Sequence, residues 1–302
     1  MGNHRGLAKT RSHADKNSAG KNKDLLRSQV YLQPELHSQQ NAPRGMVLLS
    51  ERELIKMRRV GKLAAQLLKH LEPMVQPGVS TWELNDEAER WTQAHGAISA
   101  QLGYAPSGHP PFPGSICTSV NEVVCHGIPH RKQILQDGDI INIDVTLLLD
   151  GYYGDTSRTF LVGNPSAAVK KLVTVTEECM MRGIDQVKAG ARLGDIGATI
   201  QEYAESWGFS VVREMVGHGI GKEFHMEPSV PHYGTYGRGT RLRPGMVFTI
   251  EPMLNLGTRE IQFLPDRWTV ITKDRKYSAQ FEHTIAVTET GAEILTVCDE
   301  LI

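Results

Sequence analysis

The stretch from Ile141 to Phe160 constrains this 302-residue chain more tightly than any other. Ile141, Ile143, Val145 and Leu147 alternate with Asn142, Asp144 and Thr146, the two-residue period of a strand with one apolar and one polar face. Asp150-Gly151 follows, the pair that a tight type I′ hairpin turn favours because both of its central residues need positive φ. Once that turn forms, register is no longer free. Leu149 faces Tyr152, Thr146 faces Asp155, and Asp144 lies diagonally from Asp155 on the same face, about 7–8 Å away at the backbone. Two carboxylates so close repel each other unless a cation sits between them. A surface hairpin with two solvated aspartates fits the same pattern, so the hairpin alone leaves both readings open.

Three more ligand-type side chains stand where a strand or turn would present them. His218 lies in GHGIG, whose glycines either let the backbone approach a ligand or mark a tight turn. Met246 to Ile250 reads as a short buried strand stopped at Glu251-Pro252, since proline cannot continue the ladder. Ala279 to Val287 alternates as one strand with Gln280, Glu282 and Thr284 on one face. A carboxylate in an apolar strand is costly unless paired or metal-bound, and structural ion pairing satisfies either glutamate equally well. Together, Asp144, Asp155, His218, Glu251 and Glu282 make an oxygen-rich donor set able to hold two divalent cations, a device for activating water.

Helical periodicity supplies the frame. Ser50 to Glu53 is a capping box, followed by Leu54, Ile55, Met57, Val60, Leu63, Ala64, Leu67, Leu68 and Leu71 at helical spacing. Ser80 and Glu83 repeat the box at the start of a helix to about Gly96, and further helices are expected over about Ser166 to Lys188 and Leu193 to Trp207. Pro77-Gly78-Val79 resembles Ala189-Gly190-Ala191, and the same offset aligns Leu84 with Ile196, Ala88 with Ile200, Trp91 with Tyr203 and Gly96 with Gly208. This weak repeat suggests two halves, each a helix pair plus strands, with metals between them.

Residues 1–45 differ from 46–302. They carry Arg5, Lys9, Arg11, Lys16, Lys21, Lys23, Arg27 and Arg44 against Asp15, Asp24 and Glu35, with few large apolar residues. Such a segment buries too little surface to offset its ordering entropy and is expected to be a flexible basic extension. It would serve as an electrostatic tether to an anionic partner such as ribosomal RNA, as an organelle-targeting peptide, or as a solvated tail without a partner. Gly6 stands where a myristoylation signal needs Ser or Thr. The net charge of −1 argues against a surface built throughout for nucleic acid. Cys117, Cys125, Cys179 and Cys298 form no C-x-x-C pair and are expected as thiols in a cytosol-like compartment. No apolar run reaches the length of a membrane span.

The segments CTSVNEVVCHGIPH, INIDVTLLLDGYYGDTSRTF, MVGHGIGKEFHMEP, GMVFTIEPM, DRWTV and SAQFEHT resemble those of type I methionine aminopeptidases, in the family's order and spacing. The resemblance runs from about Leu49 to the C-terminus. It implies an α+β pita-bread fold of the creatinase/aminopeptidase type, two pseudo-symmetric halves around a curved antiparallel sheet, with a dinuclear metal site in the cleft. It implies that Asp144 chelates one cation, that Asp155 and Glu282 bridge both, and that His218 and Glu251 complete the ligand set of the other cation. A hydroxide between the cations would attack the scissile carbonyl, with Glu251 shuttling the proton, His225 stabilising the oxyanion and His126 contacting the substrate amide. The cations would be Co²⁺, Mn²⁺, Fe²⁺ or Zn²⁺.

By the same resemblance, Tyr104, Phe112, Cys117, His126, Phe224 and Trp268 line a slot for the methionine side chain. The free amino terminus would lie near Thr146. Asn121, Val123 and Ser278 resemble a monovalent-cation site. Three features depart from the family pattern around this slot: Gln101 replaces a cysteine of some bacterial members, Phe112 replaces a common tyrosine, and Ser107 to Pro111 is an insertion. Expected partners are nascent-chain N-termini with a small second residue, and the ribosome through the extension. The enzyme is expected to be a cytoplasmic monomer without membrane contact. A proline-specific dipeptidase would use the same ligands, but Cys117 to His130 and DRWTV fit methionine removal better. A metal-free binding relative would have lost ligands, whereas all are present here.

Overall fold

The capping boxes set where the helices start. In the computed structural model, which describes Gly2 and residues 46–298, α1 spans Glu51–Leu71 and α2 spans Thr81–Ala94. The Ser80 hydroxyl accepts from Glu83 N, while the Glu83 carboxylate accepts from Ser80 N at 2.8 Å, so two orphan amides at the helix start are satisfied reciprocally. The expectation of a flexible extension over residues 1–45 lies, apart from Gly2, outside the described residues.

The strands in the first half are β1 (Ile98–Ser99), β2 (Cys117–Val120), β3 (Val123–Cys125), β4 (Ile140–Leu149) and β5 (Tyr152–Leu161). Helices α3 (Ala167–Ile184) and α4 (Leu193–Ser206) follow. Then come β6 (Ser210–Val211), β7 (Gly217–Gly219), β8 (Met226–Val230), β9 (Val247–Ile250), β10 (Met253–Asn255), β11 (Ile261–Phe263), β12 (Val270–Thr272), β13 (Ser278–Gln280), β14 (Glu282–Val287) and β15 (Ala292–Ile294). The central sheet has the order β1-β4-β5-β14-β9-β7-β8, with β2 also on β4 and β15 on β14. All of its pairings are antiparallel. Two smaller sheets, β13-β10-β6 and β11-β12-β3, flank it.

Alternation along β4 decides what each face meets. Ile141, Ile143, Val145 and Leu147 pack with Met57, Val60, Ala64 and Leu67 of α1 and Leu84 and Ala88 of α2 in one apolar cluster. Leu172, Cys179, Ile196 and Ile200 of α3 and α4 pack with Phe248, Ile250 and Ile285 in a second cluster. Each helix pair thus backs its own part of one sheet, the α+β arrangement in two halves that the repeat suggested. Helix and sheet meet very closely at one point, because a Cβ on Gly154 of β5 would lie 2.8 Å from Gly61 N.

Two elements differ from expectation. Helix α3 stops at Ile184 rather than continuing to Lys188, and the turn that follows sends Val187, 2% exposed, into the second core. The segment 279–287 is not one strand. It breaks at Phe281, so that β13 pairs with β10 whereas β14 pairs with β5, β9 and β15. One segment serves two sheets, and no strand-period pattern reveals that division. Among the described residues, no helix is long and apolar enough to cross a membrane.

Candidate metal centre

The hairpin register is the expected one: Leu149 opposes Tyr152, Thr146 opposes Asp155 and Asp144 opposes Ser157. Asp150 and Gly151 take φ of 52° and 79°, as a primed turn requires. The polar face of β4 therefore points away from α1. On that face the Thr146 hydroxyl donates to Asp155 Oδ1 at 2.7 Å.

The remaining donors arrive on neighbouring strands. Glu282 opposes Ser157 where β14 joins β5, and that junction is fastened by Thr156 Oγ1 to Glu282 O and Thr284 Oγ1 to Asp155 O, both 2.7 Å. Glu251 follows the last residue of β9, where Pro252 ends the ladder and the chain passes into a different sheet. His218 sits on β7, and its amide donates to Thr249 Oγ1 at 3.0 Å. Its Nε2 lies 3.6 Å from Asp155 Oδ2 and 3.8 Å from Glu251 Oε1. One donor atom each from Asp155, His218 and Glu282 lies within 4.8 Å of the other two.

The charge balance fits cations. Asp155, Glu251 and Glu282 are only 4%, 8% and 3% exposed. Burial, then the neighbouring Asp155 and Glu251 charges, drives the Asp144 and Glu282 carboxyls well above the usual carboxylate range. Burial pushes Glu251 up to about 7 despite the nearby His218. Burial lowers the His218 pKa, but Asp155 and Glu251 outweigh it and hold the ring above its ordinary value. A cleft that concentrates anions in a dry place lacks positive charge, and divalent cations would provide it. The His218 Nδ1 is 3.0 Å from Gly219 O; donating there leaves the Nε2 lone pair facing the carboxylates, the usual orientation of a metal-ligating imidazole. The cluster of Asp155, His218 and Glu282 is therefore chemically suited to divalent metal.

Aromatic side chains wall one side of the centre. Phe112, Cys117 and Trp268 form a buried apolar cluster with Tyr104 and Ile128 against it. Phe112 meets Trp268 edge-on at 5.3 Å, and Tyr104 contacts Phe224 at 4.9 Å between ring centroids. His126, at φ 55°, turns its ring edge-on to Trp268 at 6.2 Å, and burial pushes its pKa down to about 4. His225 stacks on Phe224 and lies tilted against His218, with Tyr104 Oη 2.8 Å from its Nδ1. Burial of the ring in that stack, then His218 and His126, lowers its pKa. The segment from Ser107 to Pro111 docks on this wall, with Trp268 Nε1 donating to Pro110 O at 2.9 Å and His109 Nδ1 2.8 Å from Arg267 O. Of the expected monovalent-cation residues, Asn121 and Ser278 are joined by Ser278 N to Asn121 O at 2.8 Å, and Val123 opens β3 two residues on.

Several contributors were not singled out from sequence. Thr249 Oγ1 donates to Glu251 Oε1 at 2.7 Å, and Gln280 Nε2 to Glu251 Oε2 at 3.3 Å. The buried His232 accepts Glu251 N–H at 2.9 Å through Nε2. Ile128 extends the apolar wall. Only Gln280 carried a signal, its shared face with Glu282; a lone histidine in PHYG and a threonine in a strand carry none.

Comparison with known proteins bears on this site. The chain matches the model of Metallopeptidase family M24 over residues 55–289. It is 72% identical over 253 residues to methionine aminopeptidase B of Synechocystis sp., spanning 84% of this chain and 92% of that protein. It is 53% identical over 247 residues to the methionine aminopeptidase of Salmonella typhimurium, spanning 81% and 91%. The crystal structure of methionine aminopeptidase from Rickettsia prowazekii superposes with a TM-score of 0.81 at 50% identity, over 83% of this chain and all of that one. A prolidase from Pyrococcus horikoshii OT3, 22% identical with a TM-score of 0.65 over 85% of this chain and 65% of that one, shares the fold.

Proposed function

The chain belongs to metallopeptidase family M24 and, within it, to the methionine aminopeptidases of pita-bread fold, and from that premise we propose how its residues divide the work. Asp144, Asp155, His218, Glu251 and Glu282 hold two divalent cations, with Mn²⁺, Fe²⁺, Co²⁺ or Zn²⁺ the ions such a shell accepts. The observation that carries this reading is the convergence of buried carboxylates and the His218 Nε2 on one face of the sheet. When bound, the cations supply Lewis-acid polarisation of the scissile carbonyl and a water acidic enough to act at neutral pH.

The protein side chains do the rest. Glu251, a carboxylate beside the attacking water, is suited to take a proton from it and pass it to the leaving nitrogen. With Tyr104 O–H as the donor to His225 Nδ1, the His225 proton sits on Nε2, where it can stabilise the oxygen of the scissile carbonyl. His126, neutral at working pH, contacts the substrate amide. The free amino terminus lies by Asp144 and Thr146, which excludes a formylated one. Tyr104, Phe112, Cys117, His126, Phe224 and Trp268 form the methionine slot, and Ile128 adds to it. The closed wall near the centre admits only a small second residue, because a bulky one would clash before the carbonyl reached the nucleophile.

The substrates are N-termini of nascent proteins, met by a monomer in a cytosol-like compartment. The basic residues of 1–45 provide ribosome contact, and Asn121, Val123 and Ser278 a monovalent-cation site. Adding Mn²⁺ or Co²⁺ to stripped protein restores methionine release from Met-Gly peptides and spares Met-Lys peptides. Cleavage of Xaa-Pro dipeptides without methionine release would refute the assignment.

A further inference from the structure

Gln101 is 5% exposed, yet its side chain neither faces water nor packs only on carbon. It lies just after β1, in a turn fixed by Ala100 N to Thr146 O at 2.9 Å and Tyr104 N to Gln101 O at 3.0 Å. From there the amide reaches across β4. Its Oε1 accepts Thr146 N–H at 3.4 Å, which leaves the NH₂ group turned toward acceptors. That nitrogen donates to Asp144 O at 3.0 Å, to Asp144 Oδ1 at 3.2 Å and to Cys117 Sγ at 3.7 Å. The opposite amide flip would set Oε1 against the Asp144 carboxylate and a donor against Thr146 N–H, so the orientation is determined by the strand itself.

We propose that Gln101 is the positioning residue for Asp144, holding its carboxylate in the rotamer that faces Asp155 and so setting the affinity of the cation site that Asp144 serves. The inference rests on the two-cation reading of the cleft. The physical basis is a neutral donor on a buried carboxylate: it fixes direction without cancelling the negative charge that a cation needs, whereas a lysine or arginine here would compete with the ion. An unrestrained aspartate must lose rotamer freedom each time it coordinates, and it is repelled by Asp155 and Glu251 while it waits. Partners of this kind typically change metal affinity by about 10- to 100-fold when removed.

Gln101→Met separates this role from packing, since methionine has nearly the same length but no donor. Gln101→Leu tests the same loss if methionine distorts the turn. Stripped wild type and variants are titrated with Mn²⁺ and free ion is followed by electron paramagnetic resonance; thermal unfolding of the stripped proteins and turnover of a Met-Gly peptide at saturating Mn²⁺ are measured alongside. The expected result is a loss of Mn²⁺ affinity of about tenfold or more, accompanied by a modest fall in the unfolding midpoint, because both variants also leave the Thr146 N–H and the Asp144 carbonyl without their partner. Wild-type Mn²⁺ affinity in both variants overturns the proposal. So does a fall in midpoint and saturated turnover with unchanged affinity, which would mark Gln101 as packing alone. Failure of the functional reading is separate, because it shows in the wild type as absent methionine release whatever Gln101 does.

Discussion

Replacing His232 with glutamine tests whether a neutral imidazole buried under Glu251 makes the fold acid-sensitive. His232 is 1% exposed, and burial pushes its pKa down to about 3, whereas the unfolded chain returns it to about 6.5. Its Nε2 accepts the Glu251 N–H, so protonation there would also set two donors face to face. Below pH 6.5 the unfolded state binds a proton that the folded state refuses. The associated stability is therefore complete above about 6.5 and is lost as pH falls toward 3. At pH 5 the gap is about 1.5 pH units, worth about 2 kcal/mol. Glutamine places an acceptor near the position of Nε2 but does not titrate. Urea unfolding of the metal-stripped proteins at about pH 8 and pH 5 should show the wild type losing about 2 kcal/mol more than the variant. The raised Asp144 and Glu282 carboxyls have the opposite sign, binding a proton more readily when folded, so they stabilise the stripped fold as pH falls. They are common to both proteins and cancel in the comparison. Parallel pH dependences for wild type and variant would refute the reasoning.

Two other substitutions probe the centre and its support. Glu282→Gln removes one of the mutually repelling buried carboxylates, so the stripped protein at about pH 8 should gain about 1–2 kcal/mol, a rise of about 2–4 °C in melting midpoint per kcal/mol, while Mn²⁺ binding measured by calorimetry weakens. A lower midpoint would contradict the repulsion argument. Gly154→Ala forces a methyl group against the backbone of Val60 and Gly61, which cannot retreat as a side-chain tip would, and should cost about 1–3 kcal/mol in denaturant unfolding. An unchanged midpoint would show that α1 is free to shift from the sheet.

How much was legible in the sequence follows from contact range. The Asp144–Asp155 pair could be counted outward from Asp150-Gly151, because a two-residue turn fixes register over the whole hairpin. Helix starts at Ser50 and Ser80 were equally local. The meeting of Glu282 with Ser157, or of His218 with Glu251, depends on pairings between distant segments that no periodicity encodes. Glu251 and Glu282 are therefore each locally compatible with structural ion pairing, and only their motifs, taken together, point to one site. The break at Phe281 was hidden because alternation continues across it, although the hydrogen-bond partners change. His232 was invisible because its role is to satisfy a backbone amide, and any buried acceptor of the right reach satisfies the same need.

The placement of donors on several strands of a single sheet has a mechanical consequence. Asp144, Asp155, His218 and Glu282 lie on β4, β5, β7 and β14, with Glu251 at the end of β9, so each separation between donors is a function of how the sheet is coiled. That coiling is set from behind, by how Val145 and Leu147 seat on α1 and how Phe248 and Ile285 seat on α3 and α4. The two apolar cores thus act as a gauge for the cleft. Small changes of volume there would retune which ionic radius is held best while leaving every ligand in place, and a search for variants with altered metal preference belongs behind the sheet as much as in front of it.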